Sequence, residues 1–247
     1  MDTVKLSKYL EGTTYQIKVF EDEKIISKGS AFPYTKSGHL LTANHVIASA
    51  IDNPDIKIIA KNAEGAEFKY TLGQHNIGMS NELFKVPLIV DLATLNPESP
   101  FENLDFLKIY ENTLNVGEKV LMAGFPDEGE WPLEFNYYLD RKHPDVKEKL
   151  KDIPESGDLL LIKSGMISRR SEVNLIGKDK QISGEIFYID NAMHSGASGG
   201  PVINANGEAV GVISQRAMTE GGTDEIPDLK IPSGSAVAIS PRFLKGL

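Results

Sequence analysis

The segment from His194 to Val202, His-Ser-Gly-Ala-Ser-Gly-Gly-Pro-Val, holds the residues whose types and spacing are best suited to chemistry. Glycines on both sides of Ser198 permit positive φ angles and a close approach by another chain segment. The amides that they free can point inward as an anion-binding nest. A hydroxyl beside such amides has what acyl transfer requires, a nucleophile and donors for an oxyanion. A glycine-rich hairpin turn is the alternative interpretation, and the motif alone favours neither.

A serine hydroxyl is a weak nucleophile until a base takes its proton, and the chain offers five histidines as bases. His45 ends Leu-Leu-Thr-Ala-Asn-His, where an apolar strand runs into a turn of small residues, so its ring could point from the end of a sheet. His143 lies in a charged segment and His75 in a polar loop, as is typical of surface histidines. His39 follows a Ser-Gly turn, and His194 is too close to the serine to be the obvious base. A purely structural role for His45 stays open at this point.

The third part of such a site is a carboxylate that fixes the histidine tautomer and stabilises the imidazolium. Asp91 begins the apolar run Asp-Leu-Ala-Thr-Leu, where burial of an acid is costly unless a partner compensates it. Asp105, in Leu-Asp-Phe-Leu-Lys-Ile, is the competing candidate. The strand pattern alone does not separate the two acids.

Short alternating or β-branched runs, separated by turn residues, must position these side chains. They predict strands at 14–20, 24–32, 39–42, 56–61, 67–72, 91–95, 119–125, 159–168, 173–176, 185–190, 200–204, 210–214 and 235–239. About a dozen strands without long helices between them indicate a sandwich or barrels rather than a doubly wound sheet. An acidic loop is predicted at 218–230 and a short helical turn after Pro241.

Composition narrows the class of protein. A hydrophobic content of 40% in 247 residues supports a folded core, and a net charge of −9 argues against nucleic acid and anionic membranes as partners. The first ten residues have no signal-peptide character, no run is long enough to cross a membrane, and there is no cysteine. We therefore expect a cytoplasmic protein without disulfides or thiolate metal sites. The serine-based acyl transfer considered above would need no metal or organic cofactor.

Six motifs occur in a fixed order. They are Gly-Ser-Ala-Phe at 29–32, Leu-Thr-Ala-Asn-His at 41–45, Asp-Leu-Ala-Thr-Leu at 91–95, Val-Gly-Glu at 116–118 with Gly-Phe-Pro at 124–126, Ser-Gly-Met-Ile-Ser at 164–168, and Gly-Ala-Ser-Gly-Gly-Pro at 196–201. In this order they resemble the trypsin-like (chymotrypsin-fold) serine peptidases, and within them the cysteine-free bacterial branch of the HtrA-type proteases. The resemblance covers about residues 12–240 and concerns the protease domain only, because nothing like a PDZ domain follows the last predicted strand.

The resemblance implies an all-β fold of two six-stranded antiparallel β-barrels with the active site in the cleft between them. Residues 1–112 would form the N-terminal barrel half and residues 113–247 the C-terminal half, together one peptidase domain. The charged segment 126–157 is longer than the usual connection, and we expect it to be a partly helical insert. A solvated surface excursion is one interpretation of it; a substrate gate or a docking site for an activating protein is the other.

The resemblance also implies roles for the candidate residues. His45 would be the general base and acid, Asp91 its orienting carboxylate and Ser198 the nucleophile, with the amides of Gly196 and Ser198 forming the oxyanion hole. The interval from Asp91 to the Val-Gly-Glu turn fits the family, whereas Asp105 would compress it, so the resemblance favours Asp91.

Substrate-binding residues follow only coarsely, by their offset from the nucleophile. They would be Ala192, Met193, Ile213, Ser214, Gln215, Arg216 and Ser235. No acid lies at the base of this pocket, so a basic P1 side chain would lack a partner, and we expect a small or medium apolar P1 residue. Arg216 leaves an acidic P1 residue open as the alternative.

Two positions depart from the family. Ala197 stands where digestive members carry an aspartate that pairs with a newly cut N-terminus, so that route of activation is not expected. Asn44 replaces the commoner alanine before the histidine. The sequence thus predicts a serine endopeptidase acting on proteins or peptides. The alternative is a catalytically silent or activator-dependent binding module of the same fold. A serine esterase of the α/β-hydrolase type lacks support, since its chain order runs Ser, acid, His.

Overall fold

The computed structural model describes residues 2–53, 55–79, 88–127, 159–176, 181–222, 226 and 228–246. Within them, helix α1 spans Thr3–Thr13 and the β-strands are β1 Tyr15–Glu21, β2 Lys24–Pro33, β3 Leu40–Thr42, β4 Lys57–Lys61, β5 Glu67–Leu72, β6 Gly78–Met79, β7 Leu88–Ile89, β8 Ala93–Pro97, β9 Lys119–Gly124, β10 Leu161–Ile176, β11 Gln181–Ile189, β12 Pro201–Ile203, β13 Ala209–Glu220 and β14 Lys230–Ile239. Short 3₁₀ turns lie at Asn44–Val46, Ala48–Ala50 and Pro241–Gly246.

The first barrel closes in the strand order β1-β2-β3-β8-β5-β4, and every pair in it is antiparallel. Side chains alternate between the two faces of a strand, so Tyr15, Ile17 and Val19 of β1 point together into the barrel and are buried. Leu40 and Leu95 lie opposite each other on β3 and β8 and complete this core. β-branched and aromatic residues suit such a half-buried pleated surface.

The second barrel closes in the order β10-β11-β14-β13-β12-β9, again with antiparallel pairs throughout. Its core contains Met122, Ile167, Phe187, Ile213 and Ala238, all buried. The prediction of an all-β protein built from two six-stranded antiparallel barrels is therefore confirmed.

A third apolar cluster joins the two barrels. Phe32 and Leu41 of the first barrel pack with Leu121 and Val212 of the second, and with Leu107 from the segment that connects them. Burial of this apolar surface holds the barrels against each other and thereby fixes the cleft between them.

Helix α1, which the strand pattern did not predict, packs on the same cluster. Asp2 caps its N-terminus by accepting a hydrogen bond from the Val4 amide, and Leu6 and Leu10, one turn apart, are buried. The Tyr9 hydroxyl donates to the Phe106 carbonyl at 2.5 Å. The helix is therefore tied to the segment between the barrels.

The second barrel differs from the predicted strand pattern in two places. The predicted strands at 159–168 and 173–176 are one strand, β10, because cross-strand pairs with β11 continue through the polar residues between them. The predicted acidic loop at 218–230 is shorter, since Glu220 of β13 pairs with Lys230 of β14. The predicted helical turn after Pro241 is present as a 3₁₀ turn.

Some predictions lie outside what the structure tests. Residues 128–157 of the predicted insert at 126–157, which include His143, fall outside the described residues. The division of the chain into halves 1–112 and 113–247 stays a prediction, although β8 ends at Pro97 and β9 begins at Lys119. Among the described helices, none is long and apolar enough to span a membrane.

Candidate active site

His45 lies at the end of a buried strand. β3 ends at Thr42, and the chain turns through the 3₁₀ segment Asn44–Val46, with Val46 and Ile47 buried in the first barrel. These apolar anchors leave the histidine as the exposed residue of its turn. Its backbone amide donates to Asp91 Oδ1 at 2.9 Å, and its Nδ1 lies 2.8 Å from Asp91 Oδ2. Two contacts to one carboxylate fix the ring orientation.

Asp91 lies between the buried residues Val90 and Leu92, immediately after the short hairpin of β6 and β7. Besides the two contacts from His45, its Oδ2 accepts a hydrogen bond from the Ser214 hydroxyl at 2.5 Å. The competing acid Asp105 makes no hydrogen bond to His45 in the described part of the chain. The structure therefore brings Asp91, and not Asp105, to the histidine.

The contact between His45 and Asp91 shifts the pKa values of both residues. The hydrogen bond to Asp91 raises the pKa of His45 above its ordinary value, against the opposing effect of burial. Burial by itself would raise the pKa of Asp91, but the hydrogen bond and charge of His45, together with the Ser214 hydroxyl, lower it overall. The arrangement thus favours an ionised carboxylate beside a histidine that gains a proton readily, as a general base requires.

Ser198 lies at the second position of a tight turn, Ala197–Gly200, that follows directly on another, His194–Ala197. The closing hydrogen bonds are Gly200 N to Ala197 O at 3.0 Å and Ala197 N to His194 O at 3.3 Å. Gly196 and Gly199 occupy the third positions with φ of 85° and 88°, as type II turns require. The Ser198 hydroxyl donates to the carbonyl of Ser214 at 3.0 Å and not to His45.

Six of the seven carbonyls of the nucleophile loop, residues 194–200, accept hydrogen bonds from neighbouring donors in the described part of the chain. Those of Ser195, Ala197 and Ser198 accept from the amides of Asp127, Gly200 and Ser30, at 2.7, 3.0 and 2.7 Å. The Gly196 carbonyl accepts from the Ser30 hydroxyl at 3.0 Å.

The amides of the same loop divide into two groups. Those of Ala197, Gly199 and Gly200 donate to backbone carbonyls. Those of His194, Ser195, Gly196 and Ser198 have no acceptor among the described residues. Because buried backbone donors are nearly always paired, the unpaired amide of the buried Gly196, two residues before the unpaired amide of Ser198, indicates an anion site beside the serine.

These groups open into one cavity of about 720 Å³ between the barrels. Its lining contains His45, Asp91 and Ser198, together with five of the predicted substrate-binding residues, Met193, Ile213, Ser214, Gln215 and Arg216. It does not contain the other two, Ala192 and Ser235. The Ala192 carbonyl instead accepts a hydrogen bond from Lys163 Nζ at 2.7 Å.

Sequence reasoning missed eight apolar residues of the lining. Among them are Leu88 and Ile89 of β7 and Val237 of β14. Leu88 and Ile89 immediately precede the Val-Asp-Leu stretch that contains Asp91. Their proximity to a candidate catalytic residue was therefore a signal that could have placed them at the cavity.

The remaining histidines have other surroundings. His39 Nδ1 contacts the hydroxyls of Thr35 and Ser37, and His75 Nδ1 contacts the Gly73 carbonyl. His194 is exposed at the cavity rim. Across the described ranges, no group of three or more His, Asp or Glu side chains is placed to hold a metal ion.

The family model for the trypsin-like peptidase domain matches residues 29–212. The chain belongs to this family of serine peptidases, which confirms the resemblance drawn from its motifs. Two curated relatives are described as a probable periplasmic serine endoprotease DegP-like, from Pseudomonas putida strains W619 and GB-1. Each is 26% identical over 220 residues, which is 89% of this chain but only 35% of the relative.

The fold is similar to that of a solved serine endoprotease from Yersinia pestis. The TM-score is 0.58 at 20% identity, over 99% of this chain and 64% of the other. A likeness at this identity bears on the fold alone, and it agrees with the two barrels.

The names of the curated relatives contradict the predicted cytoplasmic location. Both relatives are described as periplasmic, so that prediction is wrong. Its physical basis was weak, because an oxidising compartment permits disulfides without requiring them. The absence of cysteine therefore does not distinguish the two compartments.

Proposed function

We propose that the protein is a serine endopeptidase that uses Ser198 as nucleophile, His45 as general base and acid, and Asp91 as the carboxylate that orients the histidine. The observation that carries this proposal is that a carboxylate–histidine pair and a serine hydroxyl line one open cavity, next to a loop in which the Gly196 and Ser198 amides have no acceptor among the described residues. Binding alone would require none of these groups in this combination.

The proposed reaction begins with a rotation of the Ser198 side chain from the Ser214 carbonyl towards His45 Nε2. Oγ then attacks the scissile carbonyl carbon while the imidazole takes its proton, and the amides of Gly196 and Ser198 stabilise the oxyanion. His45 passes that proton to the leaving amine as the C–N bond breaks, which leaves an acyl-enzyme. His45 then takes a proton from water as the water oxygen attacks the ester carbon, and it passes that proton to Ser198 Oγ as the bond between Oγ and the acyl carbon breaks.

A small or medium apolar side chain is the proposed P1 preference. Met193, Ile213 and Val237 line the cavity near Ser198 and present apolar surface, and burial of an apolar P1 side chain against them is favourable. Arg216 at the same cavity supports the competing preference for an acidic P1 residue. The substrate class proposed is protein or peptide.

An activating partner that acts through the insert at 126–157 is the second part of the proposal. Asp127, at the start of the insert, donates a hydrogen bond from its amide to the Ser195 carbonyl at 2.7 Å. The amide of Gly196 belongs to that same peptide unit, so a shift at the start of the insert would turn one of the two oxyanion donors. This contact supports regulation from the insert.

Labelling with a fluorophosphonate probe tests the proposed function. We expect the wild type and the control Ser168→Ala, which removes a serine from the outer face of β10, to be labelled. Ser198→Ala should lose both labelling and peptide cleavage. If the folded wild type is neither labelled nor cleaves a peptide library, the catalytically silent binding module becomes the better explanation. A library in which acidic P1 residues dominate would contradict the apolar preference alone.

A further inference from the structure

Ser30 on β2 is completely buried, although serine is mostly found on protein surfaces. Its hydroxyl donates to the Gly196 carbonyl at 3.0 Å and accepts from the Phe125 amide at 2.8 Å. Its amide donates to the Ser198 carbonyl at 2.7 Å, and its carbonyl accepts from the Thr42 hydroxyl at 2.7 Å. Every polar group of this residue is therefore engaged.

These bonds cross from one barrel to the other. Ser30 belongs to the first barrel, whereas Gly196 and Ser198 belong to the nucleophile loop of the second. The hydroxyl of Ser30 holds the peptide unit that follows Gly196, and its amide holds the unit that follows Ser198. The unit between these two carries the Ser198 amide, one of the two proposed oxyanion donors. Ser30 thus fixes the peptide planes on both sides of an oxyanion donor.

The nucleophile loop packs so closely against β2 that neither segment can move without displacing the other. A Cβ added at Gly199 would overlap the Ser30 carbonyl oxygen and the Thr42 hydroxyl. The nucleophile loop therefore rests directly on the backbone of the opposite barrel. In a packed interior, a displacement of Ser30 is passed on to the loop rather than absorbed.

We propose that Ser30 is a positioning residue that sets the direction of the oxyanion amides from the opposite barrel. This inference rests on the proposed function, because it assigns those amides to an oxyanion. Ser30 touches neither His45 nor Asp91, so it acts on the stabilisation of the intermediate and leaves the proton transfer pathway unchanged. Catalytic geometry in this protein then depends on the contact between the barrels as well as on the second barrel itself.

The test compares Ser30→Ala and Ser30→Thr with Ser240→Ala, a control that removes another buried serine hydroxyl, one that accepts from the Arg242 amide far from the nucleophile loop. Steady-state kinetics on a peptide substrate give kcat and KM, and thermal unfolding gives Tm. Removal of one oxyanion donor costs roughly 10²–10³-fold in kcat, so we expect Ser30→Ala, which misaligns the donors without removing them, to lose about 10- to 100-fold. KM and the midpoint of the acid limb of the pH profile should not change.

Ser30→Thr separates positioning from stability. Threonine keeps the hydroxyl but adds a methyl group to a packed interior, so its Tm should fall at least as far as that of Ser30→Ala. Its kcat should nevertheless lie above that of Ser30→Ala. A kcat that simply follows Tm across the three variants would overturn the inference, as would a Ser240→Ala that loses as much kcat as Ser30→Ala.

Hydrogen–deuterium exchange of the peptide covering residues 194–200 provides a readout that does not depend on turnover. We expect faster exchange there in Ser30→Ala than in the wild type or in Ser240→Ala. If the wild type itself proves inactive, the proposed function fails while this measurement still decides whether Ser30 holds the loop. Exchange that is equal in all three proteins contradicts the inference.

Discussion

The carboxylates of Asp91 and Glu185 are both shielded from solvent beside side chains that can carry a positive charge, but the type of partner differs. Asp91, at the cleft, contacts His45 and the Ser214 hydroxyl. Glu185, on β11, is only 2% exposed and contacts Arg170 at 3.3 Å and Arg242 at 3.1 Å. Histidine exchanges its proton near neutral pH, whereas arginine keeps its charge at any pH that a protein meets.

The surroundings of the two carboxylates fit this difference. The arginines that hold Glu185 also donate to the Leu114 carbonyl and the Thr113 hydroxyl, so the cluster ties the segment before β9 to β10, β11 and the C-terminal turn. Asp91 instead connects groups of both barrels beside an open cavity. A permanent ion pair suits a buried structural contact, whereas a pair that can exchange a proton suits a site of proton transfer.

The largest expected effect comes from Asp91→Asn. The amide cannot hold the imidazole in the required tautomer or stabilise the imidazolium, and in the trypsin template this change costs on the order of 10⁴-fold in kcat. We expect a loss of that order here with little loss of Tm. Single-turnover cleavage of a peptide ester would measure it.

Asp105→Asn is the matched control for that experiment, since it changes the competing acid in the same way. It should keep the wild-type kcat. Equal losses in the two variants would contradict the assignment of Asp91 as the orienting carboxylate.

Glu185→Gln should have the opposite profile. Removal of one partner from a buried ion pair typically costs 3–5 kcal/mol, but the two arginine side chains are about a third exposed, so we expect about 2–3 kcal/mol from the free energy of unfolding. Urea denaturation measures this loss, and kcat of the folded fraction should stay within about twofold of the wild type. A large loss of kcat at full folding would mean that this cluster also shapes the site.

The same contrast explains what sequence could predict. His45, Asp91 and Ser198 each lie in a short local motif, and the resemblance of the ordered motifs to a family selected the three residues that the structure brings to one cavity. Glu185 and Ser30 carry no such motif, because their partners are distant in sequence and only the closed barrels bring them together. Helix α1 did have a local signal, an aspartate cap followed by two leucines one turn apart, among the strands that dominated the pattern.

The residues that line the pocket were harder to predict from the sequence than the three candidate catalytic residues. Offsets from Ser198 found five residues of the cavity lining, four of which lie on β13, the strand whose Ser214 carbonyl contacts the Ser198 hydroxyl. They failed for Ala192 and Ser235, whose inclusion depends on how the chain curves at the base of the pocket. The apolar residues Leu88 and Ile89 come from the two-stranded sheet of β6 and β7, far before Ser198 in the chain, so no offset from Ser198 could identify them.

The pH dependence of activity tests the proposed role of the contact between Asp91 and His45. Because the hydrogen bond to Asp91 raises the pKa of His45, the imidazole stays protonated to a higher pH than a free histidine, and a protonated imidazole cannot act as base. The acid limb of kcat/KM should therefore have its midpoint above about 6.5. In Asp91→Asn the limb should lie lower, since the main cause of the shift is removed. A profile that is flat from pH 5 to 8 would contradict His45 as the base.

The smallest expected effect concerns Asn44, which precedes His45 where the family commonly has alanine. Its Oδ1 accepts from the Asn76 amide at 3.0 Å and its Nδ2 donates to Asn76 Oδ1 at 3.4 Å. Asn76 has a φ of 50°, a left-handed conformation that asparagine tolerates better than most residues. The pair thus joins the histidine turn to the loop that leads into β6.

Asn44→Ala should cost about 1 kcal/mol, the contribution of a typical hydrogen bond, which corresponds to about fivefold in kcat/KM if it acts on the histidine turn. Asn76→Gly keeps the backbone donor and the left-handed conformation and loses only the longer bond, so its effect should be smaller. Peptide-ester hydrolysis by both single variants and the double variant measures their coupling. Additive effects would mean that the two asparagines act independently and that the turn is held by its apolar anchors alone.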